Sequence, residues 1–319
     1  MMIGGRKRTS MTRSACVAVS TRGPRISSPF MALLMAVACL VLSPGIGHGQ
    51  HGKNSGERLE TLDRKNFGRS TDITNRWMPM KPGMRWIYEG STIEDDGKVI
   101  PHRIEVTTTD LVKTISGVRT VVSYDVDYSD NELVEAELAF YAQDNDGNVW
   151  RFGEYPEEYE DGKLIKAPAW IHGFEGARAG IMMQAAPRLG TLSYSQGWGP
   201  AVGWTDRAMT YQMGQKASVP AGSYEDVLVI KEAARAEKDA EQLKYYAPGV
   251  GNVRVGWTGN GEKAKEILEL VKIEQLDAEA QAEIREKALK LEKSAYKHSR
   301  NSYARTMPAT PSNTADSAR

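Results

Sequence analysis

Beyond residue 39 this 319-residue chain has no cysteine. Cys16 and Cys39 both lie in its N-terminal 50 residues, so the remainder has no disulfide framework, thiol nucleophile or cysteine metal ligand. Histidine is nearly as scarce: of five, His48, His51 and His298 fall toward the ends, leaving His102 and His172. Neither comes with an acid or serine at catalytic spacing, and each reads as a solvated or hydrogen-bonded structural histidine. There is no phosphate-cradling glycine loop, no HExxH, no CxxC and no GxSxG elbow, so the familiar nucleotide, zinc and serine-hydrolase signatures are all missing. No apolar run is long enough to cross a bilayer, the longest being the mostly apolar Phe30–Leu42. An excess of positive charge is lacking too. The 41 basic and 41 acidic residues balance, but residues 1–50 hold six basic residues and no acids. The rest therefore carries 35 basic against 41 acidic residues, a formal charge of −6 with no electrostatic footprint for nucleic acid.

What is present begins with a leader. Arg6, Lys7, Arg8, Arg13, Arg22 and Arg25 precede the apolar Phe30–Leu42. Ser43-Pro44-Gly45 then breaks the helix, and Gly47-His48-Gly49 offers a small-x-small cleavage pattern. This predicts an export signal over residues 1–50 and a periplasmic or extracellular product, with outer-membrane association as a further option. Lipidation at Cys39 is disfavoured, because Leu40-Val41-Leu42 follows where a polar tether belongs. Residues 51–76 are polar and aperiodic and read as a flexible linker.

From residue 77 to 275 short β-like runs alternate with turn dipeptides. Asp96-Gly97, Asp130-Asn131, Asp146-Gly147 and Asp161-Gly162 are hairpin signals, and no helical crossover interrupts them. The pattern predicts an all-β, mainly antiparallel domain: a curved sheet, an open barrel or a two-sheet sandwich. Val219–Gly251 is its architectural centre: the turn Val219-Pro-Ala-Gly222, the doubly apolar Val227–Ile230, a second strand at Leu243–Tyr246, and the turn Ala247-Pro-Gly-Val-Gly251. At Asp277, an N-cap, the composition turns to helix formers. Residues 276–298 read as an exposed helix with a thin stripe of Ile284, Ala288, Leu291 and Ala295, and residues 299–319 as a disordered tail.

The residues with most chemistry come from alternation. Val122, Tyr124, Val126 and Tyr128 share one strand face, and Val134, Ala136, Leu138 and Phe140 one face of the next. If both apolar faces lie together, Asp127 opposes Glu135 and Asp125 opposes Glu137, a register that needs an odd connection centred on Asn131, such as a three-residue loop with a bulge. Like charges in directly opposed pairs repel, so something must compensate. Three readings stay open: a mixed-charge solvated face helped by Arg103, Arg119 or Lys113; a calcium site of hard oxygen ligands; or an acid/base pair of a hydrolase. Asp144–Asn148 imitates a calcium loop but lacks acids at both ends and reads as a hairpin turn; Tyr155–Gly162 reads as a solvated turn. Aromatic residues are the other resource. Trp170, Trp198, Trp204, Tyr245 and Tyr246 flank a glycine-rich segment and are candidates to line a concave site for a small apolar or sugar-like ligand.

Taken together, Trp77-x-Pro79, Pro82-Gly83-x-x-Trp86-x-Tyr88-Glu89-Gly90, Tyr141-Ala-Gln-Asp144, Asp146-Gly-Asn-Val-Trp150-x-Phe152-Gly153-Glu154, Val219-Pro-Ala-Gly222, Asp226-Val-Leu-Val229 and Tyr245-Tyr-Ala-Pro-Gly-Val-Gly251 resemble a family of uncharacterised exported bacterial proteins, many of them lipoproteins. The resemblance covers residues 77 to 273 and implies an all-β envelope protein; it carries over no catalytic residue. The leading expectation is a non-enzymatic envelope protein binding a ligand or partner on a concave face, without a cofactor unless calcium occupies the carboxylates. The alternatives are a hydrolase working through those carboxylates, and an assembly protein docking through its C-terminal helix.

Overall fold

The computed structural model describes residues 58–235, 239–262 and 265–312; the predicted export signal lies outside them. The long strands are β1 (Met84–Ile93), β2 (Val99–Ile115), β3 (Val118–Ser129), β4 (Glu132–Gln143) and β5 (Val149–Glu160). Short pieces follow: β6 (Lys163–Lys166), β7 (Trp170–Ile171), β8 (Arg178–Met183), β9 (Tyr194–Ser195) and β10 (Gly197–Trp198). A second long set comprises β11 (Arg207–Val219), β12 (Gly222–Ala233), β13 (Glu241–Ala247), β14 (Gly251–Thr258) and β15 (Lys265–Gln275). The helix α1 (Ala278–His298) and a two-residue β16 (Thr310–Pro311) complete the described chain. The fold is thus all-β and antiparallel with one C-terminal helix, as the pattern predicts.

All 16 strands among the described residues belong to one sheet, ordered β10-β8-β5-β4-β3-β2-β1-β15-β14-β13-β12-β11-β9, with β6 and β7 paired to β5 and β16 to β2 off this path. The turn chemistry is the one the sequence announces. Ser116-Gly117, Asp130-Asn131 and Asp161-Gly162 all take positive φ at both central positions, the twist that suits a two-residue hairpin. Two junctions shape the sheet. In the first, β1 pairs with β15 along its whole length, joining an N-terminal half to a C-terminal half. At Gly90 the strands come so close that a Cβ would lie 1.9 Å from the Ile267 carbonyl oxygen. In the second, β9 and β10 end the strand path on opposite sides, yet only Gln196 separates them in sequence. Ser195 pairs with Arg207 of β11, and Gly197 with Ala179 of β8. The ladder is not closed there, but a single buried residue holds its two ends side by side, so the sheet has to curl. Gln196 is anchored by its backbone N–H to Asp206 O (2.9 Å) and by its amide to Glu232 (2.6 Å).

The helix is buried along the thin stripe read from the sequence, with Glu292 added to it. Asp277 caps it by accepting from the Ala280 N–H, and Ile284, Ala288, Leu291 and Ala295 are all buried. Ala288, Leu291 and Ala295 pack against the outer face of β2–β5, where Val122, Leu138, Phe140, Phe152 and Tyr155 form one apolar cluster with Tyr303. Under the helix lies a fully buried cation. Lys113 Nζ donates to Glu292 (2.8 Å), Tyr296 (3.2 Å) and the Met307 carbonyl (2.7 Å), and stands 4.3 Å from the Tyr303 ring centroid. Burial holds the Lys113 ammonium below its usual pKa against the pull of Glu292.

Three segments differ from expectation. Residues 58–76 are no loose linker: Phe67 packs edge-on to Trp150 and Phe152, Ile73 is buried, and the Asn75 amide donates to Gly147 O and Gln184 O. The expected exposed helix is half of a packed layer. The expected disordered tail is ordered through residue 312, because Tyr303 fills the core beside Phe140 and β16 pairs with β2. Polar composition hid all three, since each is held by a few anchors set among solvated neighbours.

Two expected outcomes check this account. Glu292→Ala strands a buried lysine and should cost about 3–5 kcal/mol in urea unfolding, while Lys113→Met combined with Glu292→Leu should recover most of it. Gly197→Ala puts a Cβ 2.6 Å from both the Trp170 and Trp204 rings at φ +153, so it should lower the unfolding midpoint by more than an alanine change at exposed Gly162, which meets nothing within 4 Å.

Candidate functional site

The register inferred for the third and fourth strands holds: Asp125 pairs with Glu137 and Asp127 with Glu135. Its cause differs in detail. The connection is the two-residue Asp130-Asn131 turn, and the one-residue offset comes from a bulge that passes over Val134. The larger difference is where the faces point. The apolar face of this hairpin lies under α1, so the carboxylates face into the curl of the sheet, and the expected solvated surface is an interior.

That interior holds a cavity of about 190 Å³. Asp125, Asp127, Glu135, Glu137, Glu266, Arg151 and Lys244 form its polar wall. Trp86, Tyr88, Ile104, Val106, Tyr141, Met182, Tyr246, Val255 and Leu268 supply the apolar one, and Met78-Pro79-Met80 lies across it. Each half of the sheet contributes, and neither encloses the space alone. The polar ends of two aromatics are tied back to the last turn of the Val219–Gly251 segment and the residue after it: Trp86 Nε1 donates to Val250 O (2.8 Å) and the Tyr88 hydroxyl to Asn252 O (2.9 Å).

The charges compensate in pairs that the sequence spacing does not show. His102 Nε2 lies 2.5 Å from Asp127 Oδ1, and its Nδ1 lies 3.0 Å from Glu266 Oε1. Burial works against a charged imidazole here, but the two carboxylates outweigh it and raise the His102 pKa to about 10. Arg151 bridges Glu137 and Glu154 (2.5 Å to Glu154), with Tyr141 and Trp204 rings beside its guanidinium. Lys244 pairs with Glu232 at 2.8 Å. Asp125 accepts from the Ser123 hydroxyl (2.6 Å), yet burial and the facing Glu137 push it up to about 7. Burial, offset by His102, leaves Asp127 at about 6, and burial lifts Glu154 to about 8 against the pull of Arg151. Glu135 has no hydrogen bond or ion pair to any described residue; burial and the surrounding carboxylates hold its pKa well above the usual range. One buried atom on the wall, Arg151 Nε, lacks a hydrogen-bond partner among the described residues.

Of the cations proposed from sequence to offset the carboxylates, Arg103 instead serves Glu89 and Glu105, and Lys113 serves Glu292 under the helix. Among the described residues no three His, Cys, Asp or Glu side chains converge as a metal ion requires. The candidate aromatics separate. Tyr246 lines the cavity, and Tyr245, its neighbour on the strand, carries the Arg254 guanidinium over its ring instead. Trp170 and Trp204 stack on each other at 4.8 Å with Ala177, both buried, and Trp198 is half-buried on β10. The Tyr155–Gly162 stretch expected as a solvated turn continues β5, with buried Glu157 accepting from the Tyr155 and Tyr159 hydroxyls. His102 is hydrogen-bonded as expected; its place behind the carboxylates becomes visible only when β2 is set beside β3. The Asp144 carboxylate organises its hairpin turn by accepting from Asn148 and Trp150.

No protein-family model matches the sequence, and no curated protein does. Two solved structures are similar over 63% of this chain and 99% of their own, each at 11% identity and a TM-score of 0.34. One is described as a "putative lipoprotein" from Parabacteroides distasonis, the other as a "putative exported protein with YmcC-like fold" from Bacteroides fragilis. Likeness at this level assigns no function. Among the described residues no helix is long and apolar enough to cross a membrane.

The titrating groups set the pH dependence of stability. A carboxylate whose folded pKa is raised binds its proton more tightly when folded, so its contribution is present at low pH and lost as pH rises through the folded value. Asp125, at about 7, and Asp127, at about 6, therefore both favour the folded state at pH 4–5 over pH 8. His102 acts in the same sense, its contribution being complete below its unfolded value of 6.5 and lost through about 10. Urea unfolding should show stability falling by about 2 kcal/mol or more between pH 5 and pH 9, and Asp125→Asn should flatten the slope near pH 7.

Proposed function

We propose that this is an exported envelope protein that binds a small ligand inside the curl of its sheet, without catalysing a reaction. The observation that carries the reading is the cavity between the two halves of the sheet, with an apolar aromatic wall facing a wall of ionisable groups. Sites of this composition, mostly apolar with a few convergent polar groups, are the usual form of small-molecule pockets. At about 190 Å³ it is smaller than the usual drug-sized site and only somewhat larger than an engineered 150 Å³ cavity that accepts benzene, so the ligand is small. Export is supported by the basic, apolar and small-residue order of the leader. Docking through the C-terminal helix is less well supported, because α1 spends its apolar stripe on the protein's own sheet.

One observation favours the hydrolase reading as a second choice. Asp125, held protonated to about pH 7, faces Glu137, which Arg151 keeps paired; a proton donor and a carboxylate base thus oppose each other across two strands. If so, Asp125→Asn and Glu137→Gln would each abolish turnover of a glycoside or ester panel. Should the wild type turn over none of them, the catalytic reading fails.

The binding reading is tested by filling the space. Val106 lines the cavity and is half-buried, so Val106→Trp adds its ring to the void. The variant should keep its far-UV circular dichroism and its unfolding midpoint within a few degrees, and lose the thermal shift that a small-molecule library produces in the wild type. Equal shifts in both would place binding elsewhere.

A further inference from the structure

We propose that the ligand of this cavity is a small organic cation, an ammonium group on an aromatic or compact aliphatic body, with Glu135 and Asp125 receiving the charge. This rests on the binding reading above and specifies its ligand class.

The first support is the charge count around the cavity. Three cationic groups are present, and all are engaged: Arg151 by Glu137 and Glu154, Lys244 by Glu232, and His102 by Asp127 and Glu266. That leaves two carboxylates on the wall with no cation of their own. Glu158, next to Glu135 across the β4–β5 ladder, holds Lys166 at 3.1 Å, so that cation is engaged as well.

The second support is independent of the count. Glu135 is only 9% exposed, lines the cavity, and has no partner among the described residues. A buried carboxylate left unpaired is costly, and proteins keep one where something else supplies the partner. Burial and the neighbouring carboxylates favour the protonated form of Glu135, and a ligand ammonium would take the proton's place. The rings of Trp86, Tyr88, Tyr141 and Tyr246 line the same cavity and offer the surroundings that suit such a cation, and the Arg151 guanidinium already rests 5.7 Å from the Tyr141 centroid. A metal ion is the poorer occupant, because the carboxylates do not converge in threes. A free anion would meet this wall with charge repulsion.

The consequence is a proton released as the cation enters. Titration calorimetry on the full-length protein should use benzylammonium, its neutral counterpart benzyl alcohol, and benzoate. Benzylammonium should bind about tenfold or more tightly than benzyl alcohol at pH 8, and benzoate should not bind. Benzylammonium affinity should fall as pH drops from 8 to 6, where Asp125 takes up its proton, and runs in buffers of different ionisation enthalpy should show proton release. Glu135→Gln should weaken benzylammonium about tenfold and leave benzyl alcohol unchanged. Because that change replaces an unpaired buried carboxyl with a neutral amide of the same shape, the variant should be at least as stable as the wild type, and the proton release is read on the wild type in any case. Benzyl alcohol binding as tightly as benzylammonium, with no proton released, would overturn the cation assignment and leave the binding reading standing. Binding of none of the three probes would overturn both.

Discussion

Everything in this protein depends on one continuous antiparallel sheet having to curl until its two ends meet across Gln196. The first and last long strands pair in its middle, so the N-terminal and C-terminal halves extend from a common seam. The chain then returns between Tyr194 and Trp198 to hydrogen-bond both outer margins within five residues. A flat sheet cannot satisfy both pairings, because consecutive residues cannot reach margins that lie a whole sheet apart. The inside of the curl is the consequence, and with it the cavity.

That curvature gives the two faces of the β3–β4 hairpin different fates. One is apolar, and α1, with Tyr303 and β16 behind it, covers it as a helix covers an ordinary sheet. The other would face water in a flat protein, where opposed carboxylates would be a modest surface cost. Inside the curl the same groups lose most of their solvent and must find partners or protons. Arg151, Lys244 and His102 supply the partners, and protons complete the balance. The buried Lys113–Glu292 pair beneath the helix is the same physics with the opposite outcome: it is fully satisfied by hydrogen bonds, so it holds the helix in place and leaves nothing for a ligand.

Much of the fold was legible because it is written in local chemistry. Positive-φ turn residues at Asp130-Asn131 and Asp161-Gly162 mark hairpins wherever they stand. Asp277 caps its helix by a contact only three residues long. Even the cross-strand pairing of Asp125 with Glu137 follows from alternation once a one-residue offset near the turn is allowed. The site was half legible. Its carboxylates were found, but the partners that define their chemistry come from strands far away in sequence: His102 25 residues from Asp127 on the next strand, Glu266 and Lys244 from the other half of the chain. The tryptophans pointed elsewhere, since a glycine-rich aromatic segment looks the same whether its rings line a site or, as with Trp170 and Trp204, stack on each other.

The amino-acid sequence by itself determined the strands, their turns, the antiparallel pairing of neighbours and the helix boundary, because each depends on residues within a few positions of one another. The turns and strands of the Val219–Gly251 segment are of this kind, but its strands lie toward one margin of the sheet, whose middle is the β1–β15 pair. Only the tertiary structure decided which face of each strand is inside. A period-two pattern separates the faces of a strand but leaves open which one meets water, and that depends on the curl of the sheet and on which face α1 covers. The four carboxylates were therefore readable as a set from the start. Their meeting with aromatic rings in a shared cavity required the two halves of the chain to be closed over them.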